Sequence, residues 1–349
     1  MRYSVVSRFR GTLLGALIGQ RLASSQEREF PNSYDLDPIA VLGTESLITL
    51  GKLDLDDWRC LRQAKPTPQQ PASTNLAPTH STSVKVILAT LPVALFFHEN
   101  PQKLRQNLLH GLKIWEDNPV VRDGTLAVGY AIAQILTEKL HPRTLIPEII
   151  AFIGETSTSL PEQLTKVNTL LDQGASLEQA QTAFSRQEKL AKGIAMAFYC
   201  FLSTLEDYRL AVLLAHQQSN IWQQDNWRLH LHSISAITGA LSGAYNSIAG
   251  IPLGWQILYS QADLATWGLS NFAGMVELAD ALVAVWSGLY NHALHSEQLD
   301  PKGDFSDGEE LPLALWSPIP QNSRYNSAFQ SQPLSPGWVF AAPRVIRSR

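Results

Sequence analysis

Glycines recur four residues apart in two separate apolar stretches: Gly11, Gly15 and Gly19 within RFRGTLLGALIGQRLA (8–23), and Gly239 with Gly243 within ITGALSGAYNSIAGIPLGW (237–255). Positions i and i+4 share one face of an α-helix. A glycine inside a helix costs about 1 kcal/mol against alanine. A ladder of them on one face therefore implies helix backbones that approach closely, or a ligand held near the backbone.

Helical spacing of apolar residues continues through nearly every other ordered segment, and strand-type alternation is hard to find, which predicts an all-α, multi-helix fold. Helices are expected over 7–24, 38–51, 54–63, 82–98, 101–115, 119–139, 143–154, 159–172, 176–184, 188–204, 206–217, 232–249, 253–259, 262–268 and 272–294. Start signals support several of them: Asp54 with Asp57, Ser176 before Glu178, and Pro101 and Pro161 near first turns. The helices at 188–204 and 232–249 are apolar around most of their circumference and are expected to be central.

Two segments depart from this pattern. Residues 64–82 carry Pro66, Pro68, Pro71 and Pro78 among Ser, Thr and Gln, and predict a mobile loop. Residues 296–349 hold proline and scattered Trp316, Tyr325, Phe329, Trp338 and Phe340 without a period, and predict a largely irregular tail able to dock as extended peptide. The expected organisation is an all-α domain over 1–295 and a tail over 296–349.

Composition narrows the function. With 45% hydrophobic and 17% charged residues the chain is expected to be a soluble globular protein, and a net charge of -4 gives no cationic field for wrapping nucleic acid. Cys60 and Cys200 lack any CxxC partner, so neither a disulfide framework nor a zinc module is encoded, and the cytoplasm is the expected compartment. Arg2, Arg8 and Arg10 before an apolar run imitate a secretory signal, but three glycines interrupt that run. No stretch approaches the ~18 apolar residues of a membrane span, so no membrane partner is expected.

No nucleotide-binding glycine loop, HExxH, GxSxG or kinase signature occurs. His80, His98, His110, His141 and His216 stand singly and are expected on the solvated surface. The acidic stretch from Asp304 to Glu310 lacks calcium-loop spacing. Trp222, Trp227, Trp255 and Trp267 read as core or cap residues rather than a stacking platform.

The glycine-rich stretches carry a resemblance. The first resembles the opening helix of the ADP-ribosylglycohydrolases, RxxGxLLGxxxGDALG, and the second resembles their late helix, where GALxGAYYGxxxIPxxW follows a Gly-Asp-x-Asp-Thr metal motif. Residues 89–136 and 195–215 are similar to the intervening segments, so the resemblance runs in order over 8–259. It implies a compact all-α domain with two magnesium ions that cleaves ADP-ribose from an acceptor side chain, a glycosidase activity. The motif positions depart from that pattern. Gln20 stands where an aspartate is expected, and Glu27 where a glutamate would follow. A Thr-Asp-Asp-Thr metal tetrad falls on Tyr34-Asp35-Leu36-Asp37, and the substrate-loop Gly-Asn-Gly near Ser83-Val84-Lys85. A Thr-His pair falls on Trp115-Glu116, and the late metal motif on Leu229-His230-Leu231-His232-Ser233.

Magnesium takes oxygen ligands in near-octahedral geometry, so exchanging two carboxylates for imidazoles argues against a two-magnesium centre, and no cofactor is expected. The resemblance then implies Glu27, Asp35 and Asp37 as the surviving catalytic candidates and Trp115, Glu116 and Ser233 as substrate contacts. Asp35, Asp37, His230 and His232 are the candidate ligands for a transition metal. Three readings stay open: a catalytically degenerate domain that binds an ADP-ribose-like small molecule, an active hydrolase with a rearranged metal site, and an assembly protein whose 296–349 tail contacts a partner protein.

Overall fold

The computed structural model describes residues 3–24, 39–64, 80–114, 118–184, 189–217, 228–260 and 272–289. Fifteen α-helices and no strand occur among them. In chain order they are α1 (Val5–Ser24), α2 (Ile39–Leu50), α3 (Leu55–Ala64), α4 (His80–Ala89), α5 (Leu91–Phe96), α6 (Pro101–Leu112), α7 (Pro119–Leu136), α8 (Leu145–Ile153), α9 (Leu160–Asp172), α10 (Leu177–Ala183), α11 (Lys189–Ser203), α12 (Tyr208–Gln217), α13 (Arg228–Asn246), α14 (Leu253–Ser260) and α15 (Phe272–Trp286). All described residues lie within one compact unit, Met1–Leu299. The helix expected over 262–268, the 296–349 tail and residues 65–79 of the loop expected over 64–82 lie outside the described residues, while the ends of that loop are helical, Ala64 closing α3 and His80 opening α4.

The local signals act as their chemistry dictates. Asn100 and Asn118 cap α6 and α7 with their side-chain oxygens, each followed by a proline that needs no N–H partner in the first turn. Ser176 and Gln179 form a reciprocal capping box on α10. The single helix expected over 82–98 is two helices, α4 and α5. Pro92 is the cause, because it has no N–H for the carbonyl four residues back and its ring crowds that carbonyl. Thr90 fills the break, its hydroxyl donating to the Ile87 carbonyl at 2.7 Å.

The glycine ladders belong to each other. α1 and α13 run antiparallel with Gly11 against Gly243, Gly15 against Gly239 and Gly19 against Ser235, so close that a Cβ at any of these glycines would overlap the facing carbonyl oxygen. This pair is the axis of the bundle. α11, α12, α4 and α7 pack on α13, and α15 packs on α1, where Arg10 donates two hydrogen bonds of 2.6 Å to Asp280. The buried Tyr208 hydroxyl of α12 donates to the Gly15 carbonyl at 3.0 Å.

One histidine corrects the sequence reading. His98, expected on the surface, is buried where α1 and α15 cover the end of α5, with its ring 4.9 Å from Trp286 and 5.8 Å from Phe9. Its Nδ1–H donates to the Leu95 carbonyl at 2.6 Å, which fixes the tautomer because a carbonyl can only accept. His110 and His141 are exposed, and His216 is half-buried. Trp255 packs partly buried against the core, beside Tyr208.

Candidate functional site

The close α1–α13 pairing decides which residues meet at one end of the bundle. Gly19 faces Ser235, and continuing that register sets Arg21 to Ser24 alongside positions 230 to 233. Gln20, in the last turn of α1, is buried. His230, His232 and Ser233 occupy the first two turns of α13. The backbone therefore brings the Gln20 and 229–233 motif positions to the same end. Glu27, Asp35, Asp37, Trp115 and Glu116 lie outside the described residues.

Two further helices start at this end. A side chain at Gly193 of α11 would touch Ile234 of α13. Farther along, the Thr238 hydroxyl donates to the Ala197 carbonyl, so α11 and α13 run parallel. At Gly124 of α7 a Cβ would press on Ile194 of α11 and Ile87 of α4, which places the second turn of α7 level with the second turn of α11. At the other end Arg8, one turn before the Gly11–Gly243 contact, donates to the Ile135 carbonyl near the end of α7, so α7, α11 and α13 point their N-termini the same way. None of the three carries an acidic residue in its first turn; the acidic residues that precede them, Glu116, Asp117, Glu188 and Asp225 among them, lie outside the described residues.

Two charged residues at this end escaped the sequence reading. Lys192, next to Gly193, is only 2% exposed, and burial pulls its ammonium down to about 8 from 10.5. Its signal was a lysine inside the apolar run LAKGIAMAFYCFL, which reads equally well as a core helix. Asp123, in the second turn of α7, is fully buried and accepts from Thr156 and Thr158 hydroxyls at 2.6 Å each and from Arg122 Nε at 3.0 Å. This carboxylate is consumed in holding the loop between α8 and α9 against α7. Among the described residues, no group of three or more His, Cys, Asp or Glu is arranged to hold a metal ion, and no helix is long and apolar enough to cross a membrane.

Comparison with known proteins agrees with this architecture. The chain matches the family model for ADP-ribosylglycohydrolase over residues 1–291. A solved structure described as an "ADP-ribosylglycohydrolase-related protein complex" is similar in fold, with 16% identity and a TM-score of 0.56 over 81% of this chain and 99% of that one. No curated protein matches the chain.

Proposed function

Because the chain belongs to the ADP-ribosylglycohydrolase family, we propose that it keeps the helical scaffold, has lost the metal-dependent chemistry, and uses the α1–α13 end of the bundle to bind an ADP-ribose-like nucleotide. The observation that carries this reading is the convergence of three helix starts and one buried lysine at that end. Three helix N-termini without acidic first turns start there, and Lys192 lies buried among them. That is a setting for a diphosphate, since helix N-termini and ammonium groups both favour anions.

The donor set does not suit the two magnesium ions that the resemblance implies. Gln20 is a neutral amide in place of one carboxylate, and His230 and His232 replace two more. Positions 230 and 232 also lie on opposite sides of α13, because residues two apart in an α-helix are turned by about 200°. This weighs against the alternative in which both histidines join Glu27, Asp35 or Asp37 on one transition-metal ion. In the proposed reading Trp115, Glu116 and Ser233 contact the remainder of the nucleotide, and any protein partner is engaged by the 296–349 tail rather than by the 1–295 domain.

The test is incubation of the full-length protein with an ADP-ribosylated peptide in magnesium, in zinc and in chelator, with chromatographic detection of free ADP-ribose. No release under any condition is the expected result. Magnesium-dependent release overturns the proposal.

A further inference from the structure

The opposite end of the bundle holds a cavity of about 520 Å³ that the nucleotide-binding reading does not use. Tyr3, Arg8, Glu138, Glu206, Tyr245 and Asn246 line it. Here the C-terminal ends of α7 and α13 and the turn that follows α11 come together. The helix C-termini contribute partial negative charge, while α1 and α12 begin at this end with the opposite sign, so the side chains decide the charge of the cavity.

With Arg8 paired to Glu138, Glu206 leaves the lining one negative charge in excess. Arg8 is the one cation among these residues, and its terminal nitrogens are engaged, donating to the Ile135 carbonyl and, at 3.3 Å, to Glu138 Oε1, while its buried Nε has no partner among the described residues. Glu138 sits at φ +58°, a left-handed backbone that glycine adopts without strain and glutamate does not. Glu206 is exposed and makes no ion pair among the described residues.

Asn246 supplies an independent observation. It is only 6% exposed, and its amide nitrogen donates to the Leu205 carbonyl at 3.0 Å and the Ser242 carbonyl at 3.1 Å. Those bonds fix the amide orientation and leave Oδ1, which accepts no hydrogen bond, as an acceptor on the cavity wall. Burial and the charge of Glu206 raise the Tyr245 pKa, so its hydroxyl stays a neutral phenol.

We propose that this cavity binds a small organic cation bearing a primary ammonium group. Glu206, Glu138 and Asn246 Oδ1 accept its N–H donors, and Tyr3 and Tyr245 flank its alkyl chain. An ammonium offers three donors on an apolar stem, which fits acceptors interleaved with aromatic rings. A hard divalent metal would ask for six or more oxygens close together. The same ammonium chemistry is carried by a free alkyl diamine and by a lysine side chain of a peptide.

The experiment is isothermal titration calorimetry of the full-length protein at low ionic strength, with 1,4-diaminobutane in one arm and an end-capped lysine-containing pentapeptide in the other. Saturable one-to-one binding is expected, weakened about tenfold or more by Glu206→Gln and by Glu138→Gln. The melting temperature of Glu206→Gln is expected to stay unchanged, because Glu206 is exposed and without an ion-pair partner, which separates lost binding from lost folding. Tighter binding of the pentapeptide identifies a protein side chain as the source, and tighter binding of the diamine a free metabolite. Absence of saturable binding in both arms overturns the proposal, as do affinities unchanged within twofold in both variants. Neither result bears on nucleotide binding at the other end.

Discussion

Gly15 of α1 and Gly239 of α13 meet backbone to backbone, each occupying the space that a Cβ on the other would need. The obstacle on both sides is a carbonyl oxygen held in a helix, which cannot swing aside as a side-chain end can. This contact fixes the register of the two helices, and through it the meeting of Gln20 with positions 230 to 233.

Gly239→Ala is therefore expected to destabilise the protein by about 2 to 3 kcal/mol despite the better helix propensity of alanine, because the two helices must separate. Gly254→Ala has the opposite sign. Gly254 lies in α14 with nothing within 4 Å of its missing Cβ, so alanine there should add about 0.5 kcal/mol. Urea unfolding of the two variants beside the parent checks both signs.

Asp123 ties three donors from two segments. Asp123→Ala strands two threonine hydroxyls and releases the loop, at an expected cost of about 2 to 3 kcal/mol. In a double-mutant cycle with Thr158→Ala the losses should fall short of additive, since each substitution removes the same hydrogen bond. Denaturant midpoints of the four proteins give the coupling directly.

His98 makes stability depend on pH. Burial, only partly opposed by the Leu95 carbonyl and Glu99, lowers its pKa below 6.5, so the unfolded chain binds the second proton more readily than the folded one. The stability associated with neutral His98 is complete above pH 6.5 and is lost as pH falls through the folded-state pKa. His98→Phe keeps an aromatic ring beside Trp286 and should remove this acid-dependent step from a plot of melting temperature against pH.

Lys192 works in the same direction over a higher range. With the ammonium at about 8 in the folded protein against 10.5, its contribution is complete above pH 10.5 and falls away as pH drops through 8. The pH-dependent part amounts to about 3 kcal/mol from the size of that shift. Lys192→Met is accordingly expected to gain stability relative to the parent at pH 6.5, to lose the advantage toward pH 10, and to bind ADP-ribose more weakly. Thermal denaturation across that range, with and without ADP-ribose, measures all three.

The glycine seam was legible because its cause is local: spacing of four on a helical period, with no side chain to spend on anything but approach. The burial of His98 was not, since Phe9 and Trp286, which cover it, stand at the two ends of the helical region. Pro92 stands inside the continuous apolar pattern that predicts one helix over 82–98, and the broken backbone at Thr90 shows that the proline prevails. For the site, the resemblance pointed to the ends of α1 and α13, which the backbone brings together. The positive character contributed by the starts of α7 and α11 depends on which helices run parallel, and periodicity carries no such information.

The most direct test of the account is a thermal titration of the full-length protein with ADP-ribose, in chelator and again in magnesium. At a hundredfold excess over the dissociation constant the account predicts a stabilisation of about 2.7 kcal/mol, a rise of roughly 5 °C, equal in the two buffers. No rise, or a rise that appears only with magnesium, would contradict it.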